Sequence, residues 1–264
     1  MHATRSDTLV AVATYNEIAN VPQLIEGITA TVPHADIVVI DDNSPDGTGQ
    51  WCETKSRQLD RLLCLHRTDK LGLGSATNEL IRHAVEQRYR YLVTLDADLS
   101  HPPGQIADLL HCIDQAAVPR PDVVIGSRYV NGGQIIGWPL HRRIMSRLVN
   151  TFARWTLRLP VRDCSGAFRC YRVECLRHLE LDRIESRGYS YFEEILWRLH
   201  RQGAVFAEVP IHFVERQHGR TKITWYEAVS SVCLLARLGW QQWFGDKRSV
   251  SRSKRDRPSV KTKK

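Results

Sequence analysis

Short apolar runs alternate with segments of helical spacing through the first 125 residues, and this alternation restricts the fold more than any other feature of the chain. Leu9, Val10, Ala11 and Val12 make an unbroken apolar run over 8–13, as a buried strand does. Residues 21–31 follow with Leu24, Ile25 and Ile28 on one helical face. The pattern then repeats. Strands are predicted over 36–40, 62–65, 91–95 and 123–125, with helices ending near Leu59 and covering 75–86 and 106–117. Such alternation predicts an α/β fold, a Rossmann-like and mostly parallel sheet with helices on both faces.

The second half is less regular. Asn131-Gly132-Gly133 opens a mobile loop, and a basic helical stretch over 142–159 ends at Pro160. A helix over 192–202 closes at Gly203, a strand covers 205–210, and a polar loop covers 216–221. Residues 225–244 are apolar at helical spacing. One domain is therefore expected over 8–245, between a polar tail at 1–7 and a basic, disordered tail at 246–264. That second tail holds +7 of the net charge of +8, from nine Lys/Arg and two Asp. A nucleic-acid-binding domain would carry its excess on a folded face, so no nucleic-acid partner is expected. The seven cysteines show no metal-ligand spacing, which suits free thiols in a reducing compartment. Residues 1–7 lack the apolar core of a signal peptide, and no apolar run reaches the roughly 18–20 residues that span a bilayer. A cytoplasmic protein without its own transmembrane anchor is expected.

In open α/β sheets, functional groups collect beyond the carboxyl ends of the strands. Here those ends read Thr14-Tyr15-Asn16-Glu17, Asp41-Asp42 and Asp96-Ala97-Asp98. Asp and Asn at any one strand end also make turns and caps, but three such tips together point to one shared site. Asp96 and Asp98, two residues apart after a strand, can hold a hard divalent cation that keeps positions open for phosphate oxygens. Gly126-Ser127-Arg128-Tyr129 closes the next strand, where Arg128 can pair with a phosphate or with a surface carboxylate. Arg216, Arg220 and Lys222 lie in a loop before the last helix. The phosphate-cradling lysine loop and the G-x-G-x-x-G fingerprint are absent; Gly72-Leu73-Gly74 lacks the third glycine.

Together these residues resemble the dolichol-phosphate (polyprenyl-phosphate) mannosyltransferase family, inverting transferases of the GT-A fold. The resemblance covers about residues 8–223. It rests on the three tips above, Asn43-Ser44-Pro45-Asp46-Gly47-Thr48, Leu71-Gly72-Leu73-Gly74 and Leu99-Ser100-His101-Pro102. It continues through Gly126-Ser127-Arg128-Tyr129, Asn131-Gly132-Gly133, Gly137-Trp138, Arg142 to Arg147, Asp163 to Tyr171 and Glu208-Val209-Pro210. The resemblance implies that Ala13, Tyr15, Asn16, Glu17, Ile40 and Asp42 line the guanosine. It implies that Asp96, Ala97 and Asp98 face the diphosphate, with Asp96, Asp98 and Ser100 around Mg²⁺ or Mn²⁺. Arg128, Arg216 and Lys222 would contact the donor phosphates, and Arg142 and Ser146 the lipid phosphate. The catalytic set is Asp96, Asp98 and Arg128. Departures are Ala13, where the family usually has Pro; Ser100, where some members have Gln; Thr221 before Lys222, where Ser is usual; and the lack of the C-terminal transmembrane helices of many members.

The implied reaction moves mannose from GDP-mannose to dolichyl or polyprenyl phosphate. Its nucleophile has a second pKa of about 6 and is already anionic near neutral pH, so no strong general base is needed. The site must instead bring two anions together. His141-Arg142-Arg143 with Arg147 suits the acceptor, and is otherwise a solvated helix face. Glu193 and Glu194 either orient sugar hydroxyls or simply sit in a helix. Peripheral membrane contact through 225–244 and the basic tail is expected, or through a small membrane-anchor subunit as in some eukaryotic members. The alternatives are a UDP-glucose-dependent lipid-phosphate glucosyltransferase, a sugar nucleotidyltransferase and a non-catalytic nucleic-acid binder.

Overall fold

The computed structural model describes residues 6–115, 119–186, 188, 190–216 and 225–244, with the backbone alone at 225–229. Four strand–helix units and a fifth strand open the chain: β1 (Thr8–Thr14), α1 (Val21–Thr31), β2 (Asp36–Asp41), α2 (Thr48–Ser56), β3 (Leu62–His66), α3 (Leu73–Glu86), β4 (Tyr91–Asp96), α4 (Ile106–Gln115) and β5 (Val123–Ser127). Then come β6 (Gln134–Ile136), α5 (Leu140–Leu157), β7 (Arg169–Arg172), α6 (Val173–Leu176), α7 (Tyr191–Arg201), β8 (Phe206–Pro210), β9 (His212–Val214) and α8 (Trp225–Phe244).

Seven strands form one sheet in the order β3-β2-β1-β4-β7-β5-β8, and β6 pairs with β9 in a separate two-stranded sheet. Within the large sheet only β7 runs antiparallel to its neighbours. The period of two that hides in a fully apolar strand is visible in the packing. Leu9 and Ala11 join Val38 and Ile40 in one core, while Val10 and Val12 join Ile37 and Val39 in the other. Helices α1 and α4 supply Leu24, Ile25, Ile28, Leu109 and Ile113 to the second core. Helices α3 and α7 supply Leu80, Ile81, Ile195 and Leu199 to the first.

The chain moves outward from β1 through β2 to β3, then returns to place β4 on the other side of β1. That reversal opens a crevice at the carboxyl ends of β1 and β4, the usual ligand position in such sheets. Ala13 sits in register with Ile40 on one side and Asp96 on the other, so the three polar tips converge there.

Helix α5 is mostly exposed, as a solvated basic helix is. Only Asn150, Ala153, Thr156 and Leu157 are buried, all toward its C-terminal end. Helix α8 lies against that end. Gly239 allows the approach, since a Cβ there would fall 2.2 Å from the Thr156 methyl carbon. Trp243 Nε1 donates to Thr156 O at 3.0 Å, and Trp197 Nε1 of α7 donates to Gln242 at 2.9 Å. Leu235 and Leu238 are buried, whereas Trp240 and Phe244 face outward. Residues 225–244 thus pack through one face and expose another. No helix among the described residues is long and apolar enough to cross a membrane.

Candidate active site

The first two tips are built around internal hydrogen bonds. Asp41 accepts from Thr14 Oγ1 at 3.1 Å and from the Ser44 amide at 3.0 Å. Asn16 has φ of 60°, and its N–H donates to Ser44 Oγ; the Glu17 amide donates to Thr48 Oγ1. Asp42, expected at the guanosine, is buried and holds the next loop, accepting from Arg67 Nε at 2.5 Å and from the Gly72 amide at 3.0 Å. The Lys70 ammonium sits 3.9 Å from the centre of the Tyr15 ring. The loop after β3, unassigned by sequence except as a glycine pair, therefore forms the wall beside Tyr15.

The third tip is acidic and crowded. Asp96 ends β4 with its side chain 36% exposed to the crevice, and Asp98 is largely buried. Burial, then the neighbouring Asp98 carboxylate, pushes the Asp96 carboxyl up to about 7. Asp98 accepts from the Ser100 amide at 3.0 Å, and its other oxygen lies 3.4 Å from Arg216 Nε. Among the described residues the buried Ser100 Oγ has no hydrogen-bond partner, nor does His101 Nδ1, 3.8 Å from Asp96. His101 is held between Phe168 and Phe213, both at 5.2 Å between ring centres. Burial pushes its pKa down to about 4, so it is neutral at physiological pH and forms no ion pair with Asp96. Two carboxylates in mutual repulsion, beside two orphaned donor atoms, fit a divalent cation. Among the described residues no group of three or more His, Cys, Asp or Glu is placed to enclose one. Such a set leaves positions for phosphate oxygens.

The expected cations are present but engaged. Arg128 is buried and gives three hydrogen bonds to Asp163: from its amide at 3.0 Å, and from Nε and Nη2 at 2.7 Å each. Burial alone would raise the Asp163 carboxyl, but Arg128 outweighs it and holds that carboxyl below its usual value. The charge on Arg128 is still felt at Asp96. Arg142 donates to Glu215 at 2.7 Å and lies 4.0 Å over the Trp138 ring. Ser146 Oγ is 2.6 Å from the Tyr129 hydroxyl. Beside that pair, Tyr129, Arg147, Asn150, Thr151, Arg154 and Arg162 line an open cavity of about 290 Å³. Lys222 and Arg220 lie outside the described residues.

Several residues of this site carried no signal of their own in the sequence. Asp163 and His101 stood inside quoted motifs without a role, and Glu215 stood in none. The paired glutamates divide. Glu194 accepts from the Glu185 and Ser186 amides and pairs with Arg198 at 2.6 Å, so it holds a loop. Glu193 is buried, its Oε2 without a hydrogen-bond partner among the described residues, and burial pushes its carboxyl up to about 7 from an ordinary 4.5. A carboxyl raised on folding contributes stability fully present below its unfolded pKa and lost as pH rises through 7. Thermal unfolding from pH 5 to 8 should therefore show a loss larger by roughly 2 kcal/mol in the wild type than in Glu193→Gln, which keeps the contribution of Asp96. Parallel melting profiles would mean that Glu193 is ionised with a partner throughout.

The model of glycosyl transferase family 2 matches residues 9–180. The undecaprenyl-phosphate mannosyltransferase of Micrococcus luteus is 41% identical over 216 residues, covering 82% of this chain and 87% of that protein. The polyprenol monophosphomannose synthase of Mycolicibacterium smegmatis is 38% identical over 218 residues, covering 82% and 81%. Among solved structures, the mannosyltransferase PcManGT from Pyrobaculum calidifontis, in complex with GDP-Man and Mn²⁺, superposes with a TM-score of 0.59 at 18% identity. That likeness covers 92% of this chain and 65% of PcManGT, and it shows the shared GT-A-like fold. With its crevice built from the tips of β1, β2 and β4, the chain is a glycosyltransferase that belongs to glycosyl transferase family 2, in the polyprenyl-phosphate mannosyltransferase branch of that family.

Proposed function

We propose that the enzyme transfers mannose from GDP-mannose to a polyprenyl phosphate, with a divalent cation and with inversion at the sugar. One observation carries this reading. Arg216 reaches Asp98 on the donor side, and the adjacent Glu215 holds Arg142 on the acceptor side. Two phosphate-seeking guanidiniums thus meet across one short segment, as a reaction between two anions requires. Two relatives near 40% identity, named for polyprenyl-phosphate mannose synthesis, support the sugar and the acceptor.

In the reaction, a phosphate oxygen of the acceptor forms a bond to the anomeric carbon as the bond to the diphosphate breaks on the opposite face. GDP leaves and the configuration inverts. No side chain needs to remove a proton, because the acceptor phosphate is already ionised. Asp96 and Asp98 would hold Mg²⁺ or Mn²⁺, with Ser100 Oγ and His101 Nδ1, buried and without partners among the described residues, as further candidate donors. The cation's chemistry is neutralisation of charge on the departing diphosphate. Arg216 supplies positive charge from the protein, and Arg128, locked by Asp163, adds a fixed positive field. The test is release of GDP rather than UDP from a panel of nucleotide-sugars with a short polyprenyl phosphate present. Turnover confined to UDP-sugars would overturn the donor assignment.

The acceptor resides in a bilayer, and the reading includes a peripheral position on its cytoplasmic face. Helix α5 exposes Leu140, Ile144, Met145, Leu148 and Trp155 among Arg142, Arg143, Arg147 and Arg154. An apolar stripe among basic residues suits the interface of an anionic membrane. Leu148→Glu should reduce binding to anionic vesicles by on the order of tenfold, the worth of one buried leucine. Activity on a short, water-soluble polyprenyl phosphate should persist. Deleting 246–264 should remove the salt-sensitive part of binding, at about 1 kcal/mol per basic residue near the surface. Unchanged flotation of both variants with vesicles would place the membrane contact elsewhere.

A further inference from the structure

We infer that the arginine-lined cavity beside Tyr129 is a second lipid site, which binds the headgroup of an anionic phospholipid carrying two phosphates and so fixes the depth of α5 in the bilayer. This rests on the peripheral position proposed for α5 and adds to it a pocket with one class of ligand.

The cavity of about 290 Å³ is formed by α5 together with the segments that follow β5 and α5. Arg147, Thr151 and Arg154 share one face of α5, at spacings of four and three residues, and Arg162 lies beyond Pro160. Three guanidiniums line the cavity and no carboxylate does. Among the described residues Arg128 and Arg142 have carboxylate partners, and Arg147, Arg154 and Arg162 have none. The acids of the adjoining turn are already engaged. Asp163 is held by Arg128, and Glu208 accepts from the Arg162 and Asp163 amides at 2.7 and 3.0 Å. The neutral lining groups are engaged as well. Asn150 Nδ2 donates to Ser146 O and Ser165 Oγ, its Oδ1 accepts from the Cys164 amide, and the Tyr129 hydroxyl is joined to Ser146 Oγ. What the cavity offers a ligand is positive charge from three forked donors, the chemistry that takes phosphate. It is separate from the acceptor guanidinium, because Arg142 turns to Glu215 and forms no part of the lining.

The spacing points to two phosphates. Arg147 and Arg154 stand seven residues apart, about 10 Å along the helix axis, and Arg162 belongs to another segment. One phosphate meets one guanidinium edge-on through a pair of bonds, so three arginines spread in this way suit two phosphates on one headgroup.

The neighbouring face of the helix makes the ligand a lipid. Ile144, Leu148, Phe152 and Trp155 form an exposed apolar stripe at spacings of four, four and three. Leu148, Phe152 and Trp155 each follow a cavity residue by one position, about 100° around the helix. A soluble polyphosphate would use the arginines alone, whereas a lipid uses both faces, its phosphates at the arginines and its chains along the stripe. Ser146, on the same helix, belongs to the acceptor side of the proposed reaction. The polyprenyl phosphate lies at the level of the phospholipid phosphates, so a headgroup held in the cavity brings Ser146 to that level.

The test is co-sedimentation of the full chain with phosphatidylcholine vesicles that carry either diphosphatidylglycerol or phosphatidylglycerol, matched in surface charge. Wild type should bind the diphosphatidylglycerol vesicles about fivefold more tightly or better, the worth of one well-placed basic residue. The double variant Arg154→Gln, Arg162→Gln should lose that preference and melt at the wild-type temperature, since both side chains are exposed and unpaired among the described residues. Arg162→Gln alone, outside any helix, should reduce the preference in the same direction. Arg143→Gln removes an exposed charge of α5 outside the cavity, and should weaken binding to both vesicles alike with the preference kept. The KM for a polyprenyl phosphate embedded in these vesicles should be lower with diphosphatidylglycerol for wild type and equal in both for the double variant. Equal KM values for wild type would overturn the positioning role. Equal binding of the two vesicles by wild type, or a preference that survives the double variant or is lost in Arg143→Gln, overturns the site and leaves the peripheral position standing. Binding to neither vesicle overturns the peripheral position, and the site with it.

Discussion

Asp98→Ala should lower kcat at saturating donor by on the order of 10³-fold while the protein melts close to the wild-type temperature. The two halves of this expectation have one cause. Asp98 and Asp96 repel each other, and the Asp96 carboxyl is pushed up to about 7 by burial and by that neighbour. Removing Asp98 relieves the folded state of one member of a strained pair, so stability does not fall for electrostatic reasons. The same removal takes away the carboxylate that holds Arg216 at 3.4 Å and half of the set that would bind a cation. Charge on the leaving diphosphate then develops with less to neutralise it, and several kcal/mol of such stabilisation corresponds to about three decades of rate. Asp96→Ala should be nearly as severe. Asp98→Asn, which keeps the shape and the Ser100 contact, guards against a folding artefact. Wild-type turnover by Asp98→Ala with Mg²⁺ or Mn²⁺ present would end the assignment of this tip as the catalytic centre.

The sheet was readable because its signal is local. A strand buried on both faces is a run of Val, Leu and Ile, and β1, β2, β4 and β5 show such runs, with ends within two residues of expectation. The crevice followed, because polar residues at three successive strand ends have one place to meet in a parallel sheet. Strand β7 was not readable as a strand. It reads Arg169-Cys170-Tyr171-Arg172, with a charge at each end, yet Arg169 is fully buried. Its guanidinium donates to Phe192 O and Cys164 O, and no sequence window contains those partners. Strands β6 and β9 have three residues each, too few for any period to show. Helix α5 was legible as a basic, solvated helix, but the end at which it is buried was not, because that depends on where α8 crosses it. The site divides in the same way. The acidic tip is consecutive in sequence and was found there. The partners that decide what each arginine does lie 35 and 73 residues away, at Asp163 and Glu215.

Arg128 shows what that separation changes. Read from sequence, it pairs either with a phosphate, as the resemblance implies, or with a surface carboxylate; a pure phosphate contact could be lost at a cost in activity alone. In the structure it donates two side-chain bonds to Asp163, and Asp163 is completely buried. Arg128→Ala therefore leaves a carboxylate in the interior without its hydrogen-bonded counter-charge, with the charge of Arg169 still acting on it, a defect worth up to about 3–5 kcal/mol. In a chain of this size that lowers Tm by roughly 10 °C. Arg128→Lys should recover little, because one ammonium cannot reproduce the forked pair that also reaches Ser165 Oγ at 2.8 Å. The double variant Arg128→Ala, Asp163→Ala should melt above Arg128→Ala alone, since the unpaired charge is gone. Its activity should not return, because the fixed positive field that Arg128 exerts at Asp96 goes with the side chain. An Arg128→Ala protein with wild-type Tm and no turnover would instead restore the reading from sequence, in which the guanidinium meets the donor and Asp163 is incidental. Measured together, melting and turnover separate the two roles: an arginine that only touches a ligand can be removed without unfolding anything, and one that neutralises a buried aspartate cannot.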